Sequence, residues 1–195
     1  MSVPGAQAVV VLAGGRATRF PRKLERTIGG EAMLTRVCRN AIETGLPVYV
    51  SGSTEFSPQL VRHLNLPVLQ DRWPGAGPLR ALLSAAQSLD CDRIVALAGD
   101  EVSAGPALFR TLDAAWRAGD EAAVPRHGSA VEPLAALYAR LALVREAGAL
   151  LDLGDESMHA LVARLRTRFV NVSGAYFANI NTPEDAERVE KAFAR

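Results

Sequence analysis

Paired glycines and a group of cations follow the first apolar stretch of the chain. Residues 8–13 read AVVVLA, and Gly14 and Gly15 come directly after them. The next eight residues include four cations, which are Arg16, Arg19, Arg22 and Lys23. Glycine allows an anion to approach backbone N–H groups closely, and the cations offset its charge. The pattern predicts a buried strand that ends in an anion-binding loop, and a nucleoside triphosphate is the anion that we expect there.

Other polar side chains also follow apolar stretches. Ser51 follows residues 47–50, Asp71 follows 67–70, and Asp100 comes after IVALAG at 94–99. A bound triphosphate needs Mg²⁺, which takes one or two carboxylates together with phosphate oxygens and water. We therefore interpret Asp100 as the candidate metal ligand, although a carboxylate after a strand can also simply cap a loop. Its neighbour Glu101 would act through water or be solvated.

Two further segments combine polar or small residues with a helix start. Residues 75–79 read GAGPL, which would let the backbone pass close to a ligand before a helix begins; an ordinary loop is the alternative. Asn179 and Asn181 stand two apart, so their side chains would point to one face of an extended segment and could hold a phosphate or an acceptor. The alternative is turn chemistry, because Thr182 and Pro183 are also typical of a helix N-terminus.

Alternating strands and helices must position these residues. Predicted strands cover 8–12, 47–50, 67–70, 93–98, 122–125, 134–137 and 169–172. Predicted helices cover 32–44, 58–64, 78–89, 107–118, 141–151, 158–164 and 183–193. The pattern predicts an α/β, Rossmann-like fold in which helices flank a largely parallel sheet and ligands collect at the carboxyl ends of the strands.

Bulk properties limit the possible functions. The chain has 195 residues, of which 49% are hydrophobic, so we expect one domain with a substantial core. The net charge of +1 disfavours a protein that neutralises many phosphates of a nucleic acid. Cys38 and Cys91 have neither zinc-site nor disulfide-framework spacing. No secretory signal or membrane span is apparent, which predicts a cytoplasmic protein without a membrane partner. The three histidines have no metal-ligand spacing, and we expect surface or packing roles for them.

The motifs together resemble a known family. LAGG at 12–15 with Arg19 and Lys23, Asp71 before GAGPL, Asp100 after Gly99, Glu132-Pro133-Leu134 before Tyr138, and NINTPED at 179–185 occur in one order along nearly the whole chain. In this order they resemble the molybdenum cofactor guanylyltransferases, within the nucleotidyltransferases that act on sugar and pterin phosphates. Glycine at position 14 is similar to the guanylyl enzymes, whereas cytidylyl relatives often carry alanine there.

The resemblance implies a role for each matching residue. The nucleotide would be bound by Leu12, Ala13, Gly14, Gly15, Lys23, Ser51, Asp71, Gly77 and Asp100. Catalysis would rest on Arg19, Lys23 and Asp100, with Mg²⁺ on Asp100. The acceptor would contact Glu132, Asn179 and Asn181. By the same resemblance, residues up to about 105 would hold the nucleotide and residues from about 106 to 195 the acceptor.

The implied reaction is transfer of GMP from GTP to molybdenum-bound molybdopterin, and the implied partners include molybdoenzymes or other cofactor-biosynthesis proteins. Some residues depart from the family pattern. No acid precedes Lys23, no proline follows two residues after Asp100, and Asp155 and Glu156 stand where relatives often carry a cation. Two alternatives therefore stay open: a nucleotidyltransferase that uses CTP or another phosphate acceptor, and a non-catalytic protein that binds a nucleotide or cofactor.

Overall fold

The structure is a computed structural model, and it describes residues 6–13, 23–52, 62 and 64–177. The strands in this part are β1 Gln7–Leu12, β2 Thr27–Ile28, β3 Glu31–Ala32, β4 Val48–Gly52, β5 Val68–Gln70, β6 Arg93–Ala98, β7 Ala122–His127, β8 Ala130–Val131, β9 Ala135–Ala139 and β10 Thr167–Asn171. The α-helices are α1 Met33–Ile42, α2 Pro78–Ser88, α3 Pro106–Ala115, α4 Arg140–Asp152 and α5 Met158–Arg164. Short 3₁₀ helices cover Lys23–Glu25 and Gly174–Tyr176.

The main sheet has β1 near its centre. Its strand order is β10-β7-β9-β6-β1-β4-β5, with β8 paired to β7. β1 pairs in parallel with both β4 and β6, and β4 pairs in parallel with β5. β9 runs antiparallel to both of its neighbours, β6 and β7. The carboxyl ends of β1, β4, β5 and β6 therefore share an edge with the amino end of β9.

Side chains that alternate along β1 enter two different cores. Val9 and Val11 pack in the cluster that contains the buried faces of α1 and α3. Val10 and Leu12 pack in the cluster formed with α2, α4 and α5. A strand buried on both faces needs apolar residues at every position, which explains the continuous apolar run in β1. The sheet is thus a middle layer with helices on both sides.

These observations confirm the predicted α/β class and the largely parallel sheet. The sequence pattern did not predict the β2–β3 hairpin or β8, because a strand of two residues is too short to show an alternation of apolar and polar side chains. The prediction of a helix to residue 118 was wrong at its end, since α3 stops at Ala115. The predicted helix at 183–193 and most of the one at 58–64 lie outside the described residues. No helix in the described part of the chain is long and apolar enough to cross a membrane.

Candidate active site at the carboxyl edge of the sheet

Backbone hydrogen bonds hold the strand ends together at this edge. The amide of Ala13 donates to the carbonyl of Ser51 at 2.8 Å, and the amide of Asp71 donates to that of Gly52 at 3.3 Å. The amide of Gly99 donates to the carbonyl of Leu12 at 3.0 Å. The ends of β1, β4, β5 and β6 are thus adjacent, as the parallel topology predicts.

Gly99 occupies a space in which any larger residue would displace the neighbouring atoms. A Cβ atom at this position would lie 2.9 Å from the carbonyl oxygen of Leu12 and 3.3 Å from the Leu34 side chain. The chain leaving β6 therefore passes directly against the end of β1. This close approach places Asp100 near the carboxyl end of β1.

Lys23 and Asp100 meet at the centre of the edge. Lys23 Nζ lies 2.5 Å from Asp100 Oδ2, and the two side chains are 13% and 27% exposed. Lys23 belongs to the short helix that follows the segment with the cations, so 77 positions of sequence separate the partners. The ion pair keeps both charges compensated at a place that remains partly open to solvent.

Ser51 and Asp71 lie on the other side of β1 from Asp100. Ser51 is 1% exposed, and its hydroxyl has no hydrogen-bond partner among the described residues. Asp71 is 9% exposed, and its Oδ1 accepts a hydrogen bond from the amide of Trp73 at 2.9 Å. This local turn starts the loop that leads to α2, so Asp71 shapes that loop.

The loop before α2 uses glycine for its backbone geometry. Gly77 has φ +95°, a region that L side chains rarely adopt, and it precedes Pro78 at the first turn of α2. The N-cap has no side-chain hydrogen bond. Nearby, Arg80 Nε donates to Glu156 Oε1 at 2.8 Å, which places Glu156 against the start of α2.

A cavity of about 350 Å³ opens beside Asp100. Its polar lining includes Asp100, Glu101 and Glu132, and apolar residues such as Leu134 and Met158 form other parts of the wall. Glu132 reaches this edge because β9 runs antiparallel to β6 and the connection before β9 therefore lies next to the end of β6. The register confirms this, since Ala135 pairs with Leu97.

Glu101 is the most deeply buried acid of this group. It is 3% exposed, and its Oε1 has no hydrogen-bond partner within the described part of the chain. Burial, followed by the negative charges of Asp100 and Glu132, raises the pKa of Glu101 to about 8, against the opposing effect of Lys23. Glu101 is therefore mostly protonated near neutral pH. From the sequence we expected Glu101 either to act through a water molecule or to be exposed to solvent, and this burial was not predicted.

The carboxylate of Asp100 offers oxygen atoms, the ligands that Mg²⁺ prefers. No group of three or more His, Cys, Asp or Glu side chains is arranged to hold a metal ion among the residues that the structure describes. Because Mg²⁺ bound with a nucleotide takes only one or two carboxylates, with phosphate oxygens and water as the rest, the donor set at the end of β6 fits this ion.

His127 was expected to have a surface or packing role, but it contacts a site candidate. Its Nε2 lies 2.9 Å from Glu132 Oε1. Its ring also stacks on Phe177, with centroids 4.8 Å apart and planes 16° from parallel. The signal available in the sequence was its position at the end of an apolar strand, the same position that drew attention to Asp71 and Asp100. The predicted site residues Gly14, Gly15, Arg19, Asn179 and Asn181 lie outside the described residues.

The fold and this edge are typical of nucleotide-binding α/β proteins, and comparisons define the class further. Residues 9–169 match the model of the MobA-like NTP transferase domain, and the chain belongs to this family. A probable molybdenum cofactor guanylyltransferase of Opitutus terrae is 35% identical over an alignment of 201 positions, gaps included, which covers 97% of each chain. One of Pelotomaculum thermopropionicum is 33% identical over 132 residues, 67% of this chain and 62% of its own.

Solved structures share the fold. Molybdopterin-guanine dinucleotide biosynthesis protein A from Archaeoglobus fulgidus aligns with a TM-score of 0.76 and 22% identity. The alignment covers 96% of this chain and 98% of that protein. The family model and the two relatives confirm, at the level of the family, the resemblance inferred from the motifs.

Proposed function

We propose that this protein transfers GMP from GTP to the terminal phosphate of molybdenum-bound molybdopterin, forming the guanine dinucleotide cofactor and releasing pyrophosphate. The observation that carries the proposal is the Lys23–Asp100 pair at the carboxyl edge of parallel strands, next to a cavity that Glu132 lines. Family membership and the names of the two relatives support the choice of substrates.

The nucleotide would lie over β1, β4 and β5. Backbone groups of Leu12 and Ala13, continuing into Gly14 and Gly15, would contact it, while Lys23 binds the triphosphate. The hydroxyl of Ser51, which has no hydrogen-bond partner in the described part of the chain, and the carboxylate of Asp71 would line the base and ribose, with Gly77 close by. Residues up to about 105 would then form the nucleotide part of a single domain, and the remaining residues the acceptor part.

The chemical step needs no covalent intermediate with the protein. An oxygen of the acceptor phosphate attacks the α-phosphorus of GTP, the bond from that phosphorus to the bridging oxygen breaks, and pyrophosphate leaves. Arg19 and Lys23 would neutralise the charge that builds up on the transferring phosphates, so catalysis would be mainly positioning and electrostatics. Mg²⁺, held by Asp100, would supply further positive charge to the triphosphate. Glu132, Asn179 and Asn181 would hold the acceptor.

The test is a transfer assay with GTP, CTP and ATP in turn, each with molybdenum-bound molybdopterin, measuring pyrophosphate and the dinucleotide product. We expect product from GTP, and little from the variant Asp100→Asn. Asp113→Asn is the matched control, because Asp113 forms an ion pair with Arg93 away from the site. Product from CTP in preference to GTP would favour a cytidylyltransferase. Nucleotide binding without turnover would favour a non-catalytic carrier.

A further inference from the structure

Glu132 is held in place by an imidazole. His127 ends β7 and Glu132 lies just after β8, so the hairpin between these strands brings the two side chains together. The distance from His127 Nε2 to Glu132 Oε1 is 2.9 Å, and the side chains are 28% and 24% exposed. With the proton on Nε2, the ring donates to the carboxylate and fixes the position of one carboxylate oxygen.

His127 itself has little freedom to turn. Phe177 stacks on the ring with an interplanar angle of 16°. On the opposite edge, a Cβ atom added to Gly174 would lie 3.4 Å from Nδ1, so the backbone passes close to the ring there. The amide of Val172 donates to the carbonyl of Arg126 at 3.0 Å and ties this returning segment to β7. Because the imidazole is fixed from these directions, the carboxylate that it holds is fixed as well.

The other carboxylate oxygen is available to a ligand. Oε2 of Glu132 has no hydrogen-bond partner among the described residues, and the side chain lines the cavity beside Asp100. Asp100 and Glu101 add further carboxyl groups to the same wall. A ligand group that enters here must donate hydrogen bonds and carry no negative charge, since an unpaired anion next to these carboxyl groups would be repelled.

We propose that His127 is a positioning residue, which orients the Glu132 carboxylate to accept hydrogen bonds from the ring of the acceptor substrate. This inference rests on the proposed function, in which the acceptor is a pterin. A pterin presents its 2-amino group and its N3–H side by side on one edge, and a carboxylate can accept both. The phosphate of the acceptor, which is anionic, then lies away from Glu132 and toward the nucleotide.

The test compares two fluorescent ring compounds that differ at one position. In 6-hydroxymethylpterin the 2-position carries the amino donor, whereas 6-hydroxymethyllumazine has a carbonyl oxygen there. We expect the wild-type protein to bind the pterin at least tenfold more tightly, because the lumazine loses one charge-assisted hydrogen bond and faces the carboxylate with an acceptor. In Glu132→Gln this preference should fall to about threefold or less.

Variants of His127 separate positioning from direct contact. His127→Phe keeps an aromatic ring against Phe177 but cannot hold the carboxylate, and His127→Gln keeps a donor without the ring. We expect about tenfold weaker pterin binding in His127→Phe and partial recovery in His127→Gln. In the transfer assay the KM of the acceptor should rise by a similar factor, while the KM of GTP stays unchanged. Asp113→Asn is the matched control, because Asp113 forms an ion pair with Arg93 at the start of β6, away from the cavity.

The outcomes distinguish this inference from the proposed function. The inference would be overturned if both His127 variants kept the wild-type preference for the pterin over the lumazine. It would also be overturned if the wild-type protein bound the two rings equally well. If the protein discriminates through His127 and Glu132 but transfers no GMP, the positioning role stands and the proposed reaction fails. Melting temperatures of all variants identify any that do not fold, and Glu132→Gln then provides the independent measurement.

Discussion

Replacing Glu101 by Gln should stabilise the protein above neutral pH. In the folded chain Glu101 is 3% exposed, and burial together with Asp100 and Glu132 raises its pKa from 4.5 to about 8. A carboxyl whose pKa is higher in the folded state than in the unfolded state binds its proton more tightly after folding. Its contribution to the free energy of unfolding is fully present below pH 4.5 and is lost as the pH rises toward 8.

The size of this effect follows from the two pKa values. Each tenfold difference in proton affinity corresponds to about 1.4 kcal/mol. Between pH 5 and pH 8 the wild-type free energy of unfolding should therefore fall by about 3 kcal/mol through Glu101 alone. Glutamine has a similar shape and no charge, so Glu101→Gln should lack this loss. Groups with lowered pKa values, such as Glu121, give an opposite trend, but they are common to both proteins and cancel in the difference.

The measurement is urea unfolding of both proteins in steps from pH 5 to pH 8, with EDTA present to exclude divalent cations. The difference in free energy between the variant and the wild type should grow with pH. Glu43→Gln is a matched control, because the Glu43 side chain is 55% exposed on the surface. A difference that stays constant across this range, or that shrinks as the pH rises, would refute the assignment of Glu101 as a buried acid.

Three further substitutions test the geometry of the edge. Gly99→Ala should lower the free energy of unfolding by about 1–3 kcal/mol, because the Cβ of the alanine would lie 2.9 Å from the Leu12 carbonyl oxygen. An unchanged midpoint of urea unfolding would contradict this close approach. Tyr138→Phe should cost about 1–2 kcal/mol by the same measurement, since the buried hydroxyl donates to the carbonyl of Pro133 at 2.7 Å, and wild-type stability would show that this bond contributes nothing. Lys23→Met should weaken GTP binding in calorimetry at least tenfold, and a wild-type dissociation constant would remove Lys23 from the triphosphate site.

The sequence alone predicted the strands that end at Leu12 and Ala98 and the side chains that follow them. Continuous apolar runs bounded by glycine or by a polar residue carry that information, and parallel pairing then brings Ser51, Asp71 and Asp100 to one edge. The sequence did not predict the direction of β9. The run AALYA at 135–139 is apolar in either direction, and only its pairing with β6 shows that it is antiparallel.

Contacts between distant segments were also out of reach of pattern analysis. The ion pair of Lys23 with Asp100 joins residues that are 77 positions apart, and no periodicity in the sequence encodes such a contact. The stacking of His127 on Phe177 joins segments that are 50 positions apart. The burial of Glu101 was likewise not predictable, because an acidic residue is expected to be solvated until its neighbours in space are known.

The reversed direction of β9 brings a separate stretch of the chain to the cavity. Because β9 starts at the edge where β6 ends, the β7–β8 hairpin and its connection to β9 bring residues 131–135 to the cavity. These residues belong to a different part of the chain from those that follow β1, β4 and β5. Exchange of that one hairpin and its connection would alter what enters the cavity and leave the opposite side of the edge intact. Under the proposed function, grafting residues 127–135 from a relative should therefore change the acceptor while leaving the nucleotide side of the edge unaltered.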